Sequence, residues 1–272
     1  MKIGIMQGRL SPAYDGRLQF FPRDWKKEFN VAKEVGFDYI QWYNDLHRND
    51  LDPLSDFWNN EQFLKELDEQ LKILPVSSVD IGKYKVVGPE ASQSITKFEQ
   101  IFPGMAPRFF TKVISLPILE NNKLKNVEEK KEAVGCIREM GKIAESFGLK
   151  IALESDMPAD ELLVFLHQVG LNNVGVCYDI GNCTSYGFNC PEDLVKLGER
   201  IFEVHLKDRK VGTEQSVLLG KGDADFNGCF RVLKKIRYDG VCTMQAWRGK
   251  DYLRDARQQL TFIKNMQKKY EI

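Results

Sequence analysis

Short runs of consecutive apolar residues alternate along the chain with longer stretches in which apolar residues recur every three or four positions. The runs are Ile3–Gly8, Tyr39–Tyr43, Leu74–Asp80, Phe109–Leu119, Lys150–Ser155, Val174–Asp179, Ile201–Lys207 and Gly240–Trp247. Unbroken apolar runs mark strands of a parallel sheet covered on its outer face. Between them, Trp25, Phe29 and Ala32, or Ile137, Met140, Ala144 and Phe147, line up on one face of a helix. Glycine follows several of these stretches, at Gly36, Gly148, Gly170 and Gly240, where a left-handed helix cap is wanted. Eight strand–helix pairs predict an α/β fold of the (β/α)8 TIM barrel type, since a doubly wound open sheet serves with fewer. The 272 residues suit one such barrel, which takes roughly 250, so a single domain over 1–272 is expected.

Two stretches break the rhythm. Residues 81–108 carry Gly82, Gly88, Pro89, Pro103, Gly104 and Pro107 around a helix-like middle, Ala91–Phe102. A lid over the barrel mouth and an ordinary third helix with ragged ends both fit. The other is the long connection Lys210–Asp225, which includes Gly220-Lys-Gly-Asp-Ala-Asp. Its glycines allow close backbone approach and an aspartate suits a helix N-cap, so a phosphate cradle is one reading.

Composition narrows the classes. Lys plus Arg equals Asp plus Glu, 39 each, so no basic excess exists to neutralise a nucleic-acid backbone. Six cysteines are scattered without a CxxC pair, as expected of a reduced, cytoplasmic protein. The apolar start MKIGIMQG is too short for a signal peptide, and no run is long enough to span a membrane. A small-molecule partner is expected, with homo-oligomerisation open.

The candidate chemistry sits at strand ends. Glu154, Asp179, His205 and Gln245 fall near the ends of the last four apolar runs, the first two steps being 25 and 26 residues, about one strand–helix unit each. In a (β/α)8 barrel these ends converge on one mouth, where active sites lie. Two carboxylates, an imidazole and an amide there can hold one divalent metal ion, Mn²⁺, Mg²⁺, Co²⁺ or Zn²⁺. Lys207, two residues past His205 on the same side of its strand, is placed to polarise a carbonyl or meet a phosphate. Gln7, Arg9, Gln41, Arg209 and Arg248 are the candidate substrate contacts, the arginines as an anion clamp. His47, in a polar loop, and His167, in a helix, read as surface or structural residues.

Taken together, MKIGIMQGRLSP, ALES, YDIGN, VHLKDR, LGKGDADF with YDG, and the last strand bearing Gln245 and Arg248 resemble the xylose isomerase-like TIM barrels, in particular the sugar phosphate isomerase/epimerase group. The resemblance runs the whole length of the chain. In the ketose 3-epimerases of that superfamily a divalent metal is bound by Glu, Asp, His and Glu from strands five to eight, and the two glutamates are the acid/base pair. Carried over, Glu154, Asp179 and His205 match, while Gln245 departs, and Gln41 stands where relatives often carry Glu. An amide can ligate but takes up no proton near neutral pH, which leaves Glu154 as the base. The expected function is a metal-dependent isomerase or epimerase of a sugar or sugar phosphate, working through an enediolate. The alternatives are a dehydratase of a polyol or keto-sugar, or a sugar-binding barrel without turnover. The group's metal-dependent endonucleases use many histidines, and three histidines with zero net charge argue against that branch.

Overall fold

In the computed structural model, which describes all residues except 14–17, 45–59 and 83, eight parallel strands close into a barrel. They are β1 (Lys2–Met6), β2 (Tyr39–Tyr43), β3 (Val76–Asp80), β4 (Phe109–Ile118), β5 (Lys150–Ser155), β6 (Val174–Asp179), β7 (Ile201–Leu206) and, after a two-stranded ladder of β8 (Asp208–Arg209) with β9 (Ser216–Val217), β10 (Val241–Met244). β1 pairs with both β2 and β10, which completes the ring and leaves the barrel sheet no open edge. The (β/α)8 expectation is met.

Side chains two apart on a strand share a face, and that rule sorts the barrel interior from its outer core. Leu153, Tyr178, Val204 and Met244 point outward into the large apolar core beneath the helices. Their neighbours Ala152 and Glu154, Cys177 and Asp179, Glu203 and His205, and Thr243 and Gln245 point inward; Ala152 and Cys177 join Val113 in a small separate cluster. Gly4 leaves room for the Tyr39 ring inside the barrel: a Cβ there would fall 1.8 Å from a ring carbon.

The helices are α1 (Trp25–Val35), α2 (Glu61–Leu71), α3 (Ala91–Met105), α4 (Val127–Ser146), α5 (Ala159–Val169), α6 (Ile180–Ser185), α7 (Cys190–Leu197), α8 (Phe226–Lys235) and α9 (Tyr252–Tyr270). Several start on Asn or Asp caps whose side chains accept a backbone N–H: Asn60, Asn126, Asn189, Asp225 and Asp251. Gly36 and Gly170 close α1 and α5 in the left-handed conformation, as expected. Gly240 does not play that part: α8 ends at Lys235, and Arg237 takes the positive φ instead. The lid reading of 81–108 also fails, because α3 seats Ala91, Phe98 and Ile101 in the core as an ordinary barrel helix. His167 is exposed on α5; His47 lies outside the described residues.

Candidate active site

β5, β6 and β7 deliver Glu154, Asp179 and His205 to one buried cup at the C-terminal end of the barrel. His205 Nδ1 lies 3.4 Å from Glu154 Oε2 and 3.8 Å from Asp179 Oδ2, and all three side chains are almost wholly enclosed. Gln245, just past β10, lines the same cup with Glu154 and Lys207. Lys207 reaches Asp179 Oδ2 at 2.8 Å.

The electrostatics follow from acids packed around one imidazole. Burial opposes charge on His205, but the Glu154 carboxylate beside its ring, with Glu203 and Asp179 behind it, outweighs that and pushes its pKa up to about 9. Burial also works against ionised Asp179, yet Lys207 and His205 hold it below the usual range. The carboxylates of Glu154 and Asp179 beside the imidazole thus favour positive charge at that point of the cup, while Arg9, Lys207 and Arg209 line the rest of it.

Two side chains that the sequence did not single out complete the cup. Asn182, at the end of the YDIGN motif, donates from Nδ2 to Glu154 Oε1 at 2.7 Å, and its own Oδ1 accepts from Lys207 at 3.3 Å. Asp179 caps α6 by accepting the Asn182 N–H at 2.8 Å, so the short helix ties these residues together. Asp80, the last residue of β3, lines the cup as well. Burial, then the charge of Glu154, raise it to about 7. Its only visible signal was being the polar end of the SSVD run. A further ligating atom, Cys177 Sγ, sits with Glu154 and His205 carboxylate and ring atoms within 4.8 Å of one another, two residues behind Asp179 on the same face.

Gln41 and Gln7 are not on the cup wall, where substrate contacts were expected. Gln41 stands behind His205, its Nε2 3.0 Å from the ring Nε2, 3.0 Å from Glu203 Oε1 and 3.2 Å from Ser78 Oγ. Glu203 Oε1 also accepts from Ser78 at 2.9 Å and Thr243 at 2.6 Å, so a fully buried polar layer braces the histidine from below. Gln41 Oε1 has no hydrogen-bond partner among the described residues, so the amide turned over would offer it to an N–H at His205 Nε2. Gln7 Oε1 accepts the Tyr43 N–H at 3.0 Å and fastens β1 to β2. Gln41 thus lies deeper in the barrel than the mouth, and Gln7 is turned to the barrel wall.

Arg9, Lys207 and Arg209 do line the cup. Arg248 does not: its Nη1 donates to the carbonyls of Gly8 and Ser11, and its plane lies over Phe20 and Tyr252. The Gly220-Lys-Gly segment is not a phosphate cradle either. Its amides at Gly220, Gly222 and Ala224 donate to the Asp208 carboxylate at 2.8, 2.9 and 3.3 Å, so the nest already holds an anion from its own chain.

The donor set fits a divalent cation. His205 Nδ1 and Gln245 Oε1 are buried without a hydrogen-bond partner among the described residues, and both belong to the residues that line or bound the cup with two carboxylates. Mixed imidazole and oxygen donors of this kind suit a borderline divalent metal.

A family model described as xylose isomerase-like TIM barrel matches residues 29–266. The chain belongs to that family. An inosose isomerase of Halalkalibacterium halodurans is 24% identical over 259 residues, 88% of each chain. An L-ribulose-5-phosphate 3-epimerase of Salmonella heidelberg is 23% identical over 237 residues, 82% of each chain. An uncharacterized protein of Methanocaldococcus jannaschii is 28% identical over 156 residues, 53% of this chain, and the chain spans about half the length of that relative, 49%. Among solved structures, an IOLI protein with a bound zinc atom superposes at a TM-score of 0.76, with 20% identity over 99% of both chains. Family and named relatives together mark the chain as an enzyme of the sugar isomerase and epimerase class.

Proposed function

We propose that the protein isomerises or epimerises a carbohydrate by moving a proton at a carbon next to a carbonyl, through an enediolate, with Glu154 as the base. Glu154, Asp179, His205 and Gln245 would hold one divalent metal ion, and the observation that carries this is the pair of partnerless buried donors, His205 Nδ1 and Gln245 Oε1, beside two carboxylates. When bound, such an ion supplies Lewis acidity to the substrate oxygens and makes the neighbouring C–H more acidic. Asn182 holds the Glu154 carboxylate by one oxygen, at 2.7 Å, and so aims the other. Lys207, enclosed beside Asp179, is placed to orient a substrate hydroxyl or carbonyl oxygen. Gln245 can ligate but cannot return a proton, which favours chemistry with a single carboxylate base over the two-glutamate pattern. The sugar specificities of the inosose isomerase and of the L-ribulose-5-phosphate 3-epimerase support a polyhydroxylated substrate with a keto group.

The test is solvent-deuterium wash-in. Wild-type protein loaded with Mn²⁺, Co²⁺ or Zn²⁺ is incubated in D₂O with a panel of ketoses and ketose phosphates, and exchange at the carbon next to the carbonyl is read by NMR. Glu154→Gln is expected to slow exchange by roughly 10²–10⁴-fold, the usual cost of losing a general base. Wild-type exchange in that variant would place the base elsewhere, and loss of water from the substrate would mark a lyase instead.

A further inference from the structure

A guanidinium taken out of water needs an oxyanion, and among the described residues Arg9, at the cup, lacks one. Arg9 is 2% exposed; its Nη1 donates to the Leu18 carbonyl, while Nε and Nη2 are buried without a hydrogen-bond partner among the described residues. The carboxylate on its side of the barrel, Glu28, is spent on the Gly8 and Leu10 amides and the Ser11 hydroxyl. Burial, with Arg248 nearby, lowers Arg9 to about 10, so it stays a cation at neutral pH. Arg209, on β8, is half-buried, and its Nε is enclosed without a hydrogen-bond partner among the described residues. A buried cation left unpaired is costly; Arg9 is in that position, and both arginines line the cup that holds Glu154 and Lys207.

We propose that Arg9 and Arg209 form a phosphate subsite, so that the substrate carries a phosphate ester away from its reacting carbon. The word substrate rests on the reaction proposed above; the subsite itself does not. The cup alone is small, about 110 Å³, but it shares Leu18, Arg209 and Ser216 with a cleft of about 700 Å³. That cleft is walled by Trp247, Arg248, Lys250 and Tyr252, and so lies among the loops that follow β7 and β10. In (β/α)8 barrels the loops after the last two barrel strands are where a phosphate group is commonly held. Two forks, one from the turn after β1 and one from β8, suit an oxyanion with three terminal oxygens, whereas one carboxylate is satisfied by one fork. Arg248 also walls the cleft, with its Nη1 given to the Gly8 and Ser11 carbonyls and its guanidinium over Phe20 and Tyr252.

The experiment follows the arginine Nε–H signals of the full-length ¹⁵N-labelled protein while inorganic phosphate, and separately acetate, is added. Saturable phosphate binding that shifts the Arg9 and Arg209 signals together is expected, with acetate weaker by about tenfold or more. Arg209→Met should weaken phosphate binding roughly 10- to 100-fold, the worth of charge-assisted hydrogen bonds, while leaving divalent-metal uptake unchanged. Should Arg9→Met fail to fold, Arg9→Lys keeps the charge and loses the fork, and is expected to weaken phosphate by a similar factor. The proposal is overturned if neither signal responds to phosphate, if Arg209→Met binds phosphate like wild type, or if acetate binds as tightly as phosphate. Phosphate binding as described without deuterium exchange in any ketose phosphate would support the subsite and sink the reaction instead.

Discussion

Single side chains in this cup are set by the charges of their neighbours more than by their own chemistry. Asp80 shows it most plainly, because its ordinary value of 3.8 is moved to about 7 by burial and by the like charge of Glu154. The folded chain then keeps a proton that the unfolded chain releases. Between those two values the contribution of Asp80 to stability falls as pH rises, and it is fully present only below the lower one. A carboxyl-carbon NMR titration of the metal-free protein should place Asp80 near neutrality. In Glu154→Gln it should move down, since a like charge has gone, and Asp80→Asn should flatten the pH dependence of stability over the same window. An Asp80 that titrates in the ordinary carboxylate range would refute this account. His205 tests the ligand set at the same scale: His205→Ala is expected to lose divalent-metal uptake, measured by equilibrium dialysis, while circular dichroism still reports a folded barrel.

Elements matter here for what they pin in place. The short helix α6 carries Gly181 against Lys207, where an added Cβ would come within 2.7 Å of the lysine Cγ, so the glycine lets strand and helix close on the lysine. The connection after β9 is organised by one residue, Asp208, fully buried and holding three backbone amides. Asp208→Ala would strip those amides of their acceptor. A loss of about 1–3 kcal/mol is expected from groups left unsatisfied, read as a lower urea midpoint, with faster amide exchange at Gly220 and Gly222. Unchanged exchange there would mean that the loop is held by something other than the carboxylate.

For the molecule as a whole, the proposed ligands from β5, β6, β7 and the end of β10 would make a bound ion a staple across half the barrel. A ligand that binds only the native state stabilises it by about 2.7 kcal/mol at a hundred times its dissociation constant. Under the proposed metal reading, a saturating divalent ion should raise the melting temperature, a chelator should reverse the rise, and His205→Ala should show no rise. A metal-independent melting temperature in wild type would count against the site. The six cysteines, all free and buried, supply no competing staple, and no helix among the described residues is long and apolar enough to cross a membrane.

Much of this was legible in the chain itself. Apolar runs and helical periods predicted every barrel strand, three of them to the residue at both ends (Tyr39–Tyr43, Lys150–Ser155 and Val174–Asp179), because a strand covered by helices must be apolar throughout and local periodicity is a local property. Their phase near the ends of successive runs likewise placed Glu154, Asp179 and His205 at one barrel mouth before any contact was seen. What the chain alone could not decide was which inward side chains meet. Barrel closure and strand stagger set depth, and depth is what put Gln41 behind His205 and Gln7 against β2, turned Arg248 onto carbonyls, and brought Asp80 from a distant strand to the rim. The Gly220 loop makes the same point: its amides were ready for an anion, and only the folded chain shows that Asp208 is the anion they receive. Periodicity is written in neighbours along the sequence, while a site is written in distances between residues far apart in it, and those exist only once the ring has closed.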